Sequence, residues 1–87
     1  MNWIRGDEYH LRTDDGRYTI AATFDATHVV YMAYRIDSVQ VGRHYEKRPD
    51  RLGLRRAAIE DRAGRNAAVR EMQAICETDS TLTKGAA

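Results

Sequence analysis

Apolar residues recur at every second position over the first half of the chain and at helical spacing over the second, and this change of period most limits the fold. Tyr9 and Leu11 alternate with polar neighbours, and Asp14-Asp15-Gly16 then supplies a hairpin turn. In the run from Arg17 to Phe24, Tyr18, Ile20, Ala22 and Phe24 take one face and Arg17, Thr19 and Thr23 the other. Asp25-Ala26-Thr27 reads as the next turn, His28 to Arg35 as a strand, Ile36-Asp37-Ser38 as a turn, and Val39 to Tyr45 as a last strand. Trp3 and Ile4 would add a short edge strand or a lid over the core. Glu46 to Gly53, with Pro49, reads as a charged connector, and Leu54 to Glu77 as helix. The expectation is an α+β domain over residues 1–78: a small antiparallel meander of about four strands, with one long or kinked C-terminal helix packed on one face. The small polar residues of 79–87 suggest a flexible tail.

Wound at 100° per residue, Leu54, Ala57, Ala58, Ala68, Val69, Met72, Ile75 and Cys76 fall on one stripe, as the core face of an amphipathic helix requires. Asp61 and Arg65 interrupt it, with Gly64 beside them. Two readings stay open: an internal ion pair at i, i+4, or a kink at Gly64 that docks each half separately. Twenty-four helical residues span about 36 Å, whereas an eight-residue strand spans about 26 Å, so an overhanging helix end is expected. The strand His28–Arg35 is apolar on both sides, with Val29, Tyr31 and Ala33 pointing one way and Val30, Met32 and Tyr34 the other. The helix covers one side. The second is left for arginine stems or for a partner.

Eighty-seven residues allow one modest core. Fourteen Lys+Arg against thirteen Asp+Glu give a net charge of +1, so no overall field draws in nucleic acid. The distribution is uneven. Arg43, Lys47, Arg48, Arg51, Arg55 and Arg56 crowd one segment with only Glu46 and Asp50 against them, while Asp7, Glu8, Asp14, Asp15 and Asp25 lie in the first 25 residues. The preference for arginine fits phosphate or carboxylate recognition, and equally the codon bias of a GC-rich genome. These six cations and Tyr31 are the candidate partner-binding residues.

No catalytic or metal set is apparent. His10, His28 and His44 lie on three predicted strands without zinc spacing, Asp14, Asp15 and Asp25 sit in turns, and there is no phosphate loop or nucleophile elbow. The chain is read as a non-enzyme without a cofactor. The single cysteine, Cys76, excludes an intramolecular disulfide and fits a reducing compartment. With no apolar run of membrane length and no export signal, a cytoplasmic protein is expected.

The order strand–Asp-Gly turn–strand–strand–strand–helix, with Trp3, Tyr18-Thr19-Ile20-Ala21, Tyr31-Met32-Ala33-Tyr34, Gly42 and an Ala-rich helix ending in Cys76, resembles small accessory proteins of bacteriophages and mobile elements, a class that includes anti-CRISPR proteins. That resemblance covers the chain up to Asp79. It implies a cytosolic inhibitor that blocks a host defence complex, such as a CRISPR effector, by surface contact. The chain departs from strongly acidic inhibitors that imitate DNA. Beside a protein-binding inhibitor stand two other readings: a nucleic-acid module using residues 43–56 with Tyr18, Tyr31 or Tyr34 stacking bases, and a homodimeric regulatory or structural protein.

Overall fold

The computed structural model describes the backbone of residues 1–7 and 9–85 and the side chains up to residue 82 of that set. Five antiparallel strands form one sheet whose spatial order repeats the chain order: β1 (Trp3–Asp7), β2 (His10–Thr13), β3 (Tyr18–Phe24), β4 (His28–Val41) and β5 (His44–Ala58). One helix, α1 (Arg62–Gly85), packs against one face. The α+β meander is as expected, with one strand more. Trp3 and Ile4 lie on an edge strand, paired with Thr13 and Arg12. Among the described residues no helix is long and apolar enough to cross a membrane.

Local chemistry sets each turn. Gly16 takes φ +72°, its amide bonding to the Thr13 carbonyl at 2.9 Å, while the Asp15 carboxylate accepts from the Thr13 hydroxyl and the Arg17 amide. Asp25 Oδ1 accepts from the amides of Thr27 and His28 and so closes the β3–β4 turn. The expected turn at Ile36-Asp37-Ser38 is instead continuous strand, because the chain reverses at Gly42. Val41 pairs with His44 across a two-residue loop whose first residue, Gly42, has φ +61°, the pattern of a type II′ turn.

The largest departure is β5. The connector Glu46–Gly53 and the first residues of the predicted helix, Leu54 to Ala58, are one edge strand paired along β4 from His28↔Ala58 to Val41↔His44. A strand apolar on both sides is central and needs hydrogen-bonding neighbours at both edges. β3 supplies one and β5 the other. Pro49 is tolerated because β5 is an outer strand. A bulge between Ala33 and Tyr34 leaves Leu52 as the extra residue, which packs towards the helix. Fourteen-residue strands reach about 48 Å, so a helix of about 36 Å leaves no overhang to explain.

The helix begins and ends later than its periodicity suggested. Asp61 is its N-cap: Oδ1 accepts from the Gly64 amide at 2.9 Å, and its carbonyl accepts the first helical bond, from the Arg65 amide. Neither an Asp61–Arg65 bridge nor a kink at Gly64 is present. The stripe was interrupted there because the helix starts there. Residues 79–85, expected in the tail, continue the helix, while residues 86–87 lie outside the described residues.

The core joins Tyr18, Ile20 and Ala33 of the sheet to Met72 and Cys76 of α1, with Trp3, Leu11, Tyr31, Leu52 and Ile75 around them. Gly53 lies beneath Ile75 of α1, since a Cβ there would lie 2.7 Å from Ile75 Cδ1. At the far end, Asp79 accepts from the Tyr18 hydroxyl at 2.7 Å and from Arg35 Nη1 at 3.0 Å. Arg35 also reaches Asp37 and Asp50. One guanidinium therefore ties β4, β5 and α1 together, with β3 held through Tyr18.

Candidate functional site

Strand register sorts the side chains of the basic segment onto opposite faces. Lys47, Arg51 and Arg56 project from the side that α1 leaves bare, while Arg48 and Arg55 project towards the helix side. Arg43 lies in the β4–β5 loop. Arg55 pairs with Glu71 of α1 at 3.5 Å, Arg48 with Glu46 at 3.2 Å, and Arg56 with Asp25 at 3.0 Å. The six cations thus form no single patch. Tyr31 falls on the helix side and packs against the core, and Tyr18 is 1 % exposed, so of the three tyrosines considered for stacking only Tyr34 lies on the bare face.

The bare face has a definite layout. One row across the sheet runs Ile4, Arg12, Thr19, Tyr34, Arg51, and the next runs His10, Ala21, Met32, Leu54. Beyond them, Val30 stands beside Arg56 and Ile36 beside Pro49. Tyr34 lies over its neighbour, its hydroxyl donating to Met32 Sδ at 3.2 Å. Leu54 is 46 % exposed and Ile4 39 %, while Val30, Met32 and Tyr34 are half-buried by their neighbours in the sheet. Arg12 and Arg51, three strand spacings or about 14 Å apart, flank the apolar strip and have no ion-pair partner among the described residues.

The acids of the long hairpin lie on the other side. Asp37, Glu46 and Asp50 all face the way Arg35 does, where they are engaged by Arg35 and Arg48. On the bare face the described strand residues include no acid apart from Asp7 at the end of β1. His10, and then the Tyr9 amide, hold that carboxyl below the usual carboxylate range. An apolar strip with Tyr, Met and flanking Arg has the composition of a protein-recognition surface, where Asp and Glu are depleted.

Sequence reading had singled out Val30, Met32, Tyr34, Arg51 and Arg56 and missed Arg12, Leu54 and Ile4 as their neighbours. Alternation within 44–58 was the available signal, obscured by the density of charge. Among the described residues no group of three His, Cys, Asp or Glu side chains could hold a metal ion. No protein-family model, no curated protein and no solved structure matches this chain.

Proposed function

We propose that the chain is a non-enzymatic binding protein that docks an acidic protein surface on the helix-free face of its sheet. The observation that carries this reading is the row Arg12–Thr19–Tyr34–Arg51, in which two cations bracket an apolar strip on a face that offers no free carboxylate. Burying that strip is the driving force, and the arginines select the partner by charge. A second copy of the chain is the poorer occupant, because pairing the face with itself sets a cationic rim against a cationic rim. An inhibitor of a bacterial defence complex, as the resemblance implied, is the specific form of this reading.

The test is capture from host lysate with and without nuclease, using wild type, Arg12→Glu/Arg51→Glu and the control Arg43→Glu/Arg48→Glu. The expected result is a nuclease-resistant, salt-sensitive protein partner retained by the control and lost from the double variant, with sedimentation of the isolated chain as a monomer. Capture that survives Arg12→Glu/Arg51→Glu, or that nuclease abolishes, overturns the proposal, the latter in favour of nucleic acid. Restored phage growth in cells with an active CRISPR effector tests the narrower role.

A further inference from the structure

On the helix side, between the β1–β2 edge and the N-terminal half of α1, lies a cavity of about 400 Å³. Three arginines line it: Arg5 from β1, and Arg62 and Arg65, three residues apart on α1. None of the three has an ion-pair partner among the described residues. Arg65 is the most telling. It is half-buried, and its Nε is out of reach of solvent with no hydrogen-bond acceptor in the protein. Leaving a buried donor unsatisfied is costly, so a turn of the Arg65 side chain that brings its guanidinium to an acceptor in the cavity is favoured. The one acid among the described lining residues, Asp7, is already bonded to His10 at 2.8 Å. Leu11, Ile20, Tyr31 and Val69 supply an apolar floor.

We infer that this cavity binds a small phosphomonoester with a flat apolar body, of the size of a nucleoside monophosphate. Guanidinium forks match phosphate oxygens in geometry, and three of them around one committed carboxylate suit a dianion better than a single carboxylate. The volume falls within the usual range of small-molecule sites, and the apolar floor accommodates the body that carries the phosphate. The cavity opens at the β1–β2 edge, where Asp7 and His10 line it, and it includes neither Arg12 nor Arg51, so the two readings are tested by different residues.

Adenosine monophosphate, adenosine and inorganic phosphate serve as probes, each titrated at millimolar concentrations while amide chemical shifts are followed. The expected result is saturable binding of the monophosphate with shifts around Arg5, Arg62 and Arg65, and at least about tenfold weaker binding of adenosine. Arg65→Met should lose binding by at least about tenfold while melting no lower than wild type, because it removes an unsatisfied donor. Arg12→Glu/Arg51→Glu should bind the monophosphate normally. Absence of saturable binding, equal binding of adenosine, or wild-type binding by Arg65→Met overturns the inference. If Arg65→Met melts lower, Arg62→Gln is the deciding variant, and binding unchanged in it has the same force.

Discussion

Replacing Asp79 by alanine removes the acceptor that the Tyr18 hydroxyl and Arg35 share, and the structure sets the size of the effect. Tyr18 is 1 % exposed, and its hydroxyl lies 2.7 Å from Asp79 Oδ2. Loss of the acceptor from this part-buried hydroxyl costs about 1–3 kcal/mol. The Arg35 contacts add less. Its side chain is 25 % exposed and that of Asp79 20 %, so solvent screens the pair, and Asp37 and Asp50 still hold the guanidinium. Together the loss should be about 2–3 kcal/mol, or about 8–24 °C in Tm for a domain of this size. Asp79→Asn keeps a carbonyl acceptor and should lose about half as much. Urea unfolding followed by Trp3 fluorescence measures both. A double-mutant cycle with Tyr18→Phe should return a coupling of about 1 kcal/mol or more. Asp79→Ala within about 0.5 kcal/mol of wild type, the range of ordinary surface changes, would refute the clamp.

Three further outcomes follow from the packing. Asp61→Ala should destabilise by about 1 kcal/mol through loss of the cap. Gly64→Ala should gain nothing, despite a helix-propensity advantage of about 1 kcal/mol, because its Cβ would collide with the capping carboxylate; paired with Asp61→Ala, it should recover stability in chemical denaturation. Gly53→Ala should cost about 0.5–1.5 kcal/mol, because the terminal methyl of Ile75 must turn away from the new Cβ, and Ile75→Val in the same chain should relieve part of that loss in thermal melts. Burial, and then the Asp79 and Glu77 carboxylates, push the Cys76 thiol up to about 11. The folded value lies above that of an unfolded cysteine, about 8.5, so this share of stability is intact below that pH and lost as pH rises towards 11. Cys76→Ala should flatten the alkaline limb of a stability-against-pH curve, and wild-type Cys76 should alkylate near pH 8 only at the rate of unfolding.

What could be read from sequence was what local geometry encodes. The Asp14-Asp15-Gly16 turn and the alternation of Tyr18 to Phe24 each follow from backbone conformations that neighbouring residues impose. β5 failed the same reading for a physical reason. Its alternation is carried by Lys, Arg and Glu as much as by apolar residues, and Leu54, Ala57 and Ala58 happen to fall in phase with the true helical stripe. Only the unmet hydrogen-bonding edge of β4 reveals that this segment is a strand. The helix-free face was half legible. Val30, Met32 and Tyr34 announced an uncovered side, but Arg12 meets Arg51 only through three successive pairings that no local pattern specifies. The Arg35–Asp79 contact spans 44 positions and gave no signal, because an isolated Asp in a polar stretch looks like a tail.

A sheet whose spatial order repeats its chain order has consequences for the route to the native state. Each strand closes on its immediate predecessor through a short loop, so the sheet can assemble by successive zippering with little loop-closure entropy at each step. The helix comes last in sequence, and it covers Tyr18, Ile20 and Ala33. During synthesis, therefore, β4 is paired yet apolar on both sides until α1 emerges, an interval in which a sheet of this kind is open to aggregation. Of the two outer edges, the one beside β4 is β5, whose Lys47, Arg48, Pro49 and Arg51 are poor templates for a foreign strand. The charge density that disguises β5 as a loop thus also protects that edge of the nascent sheet.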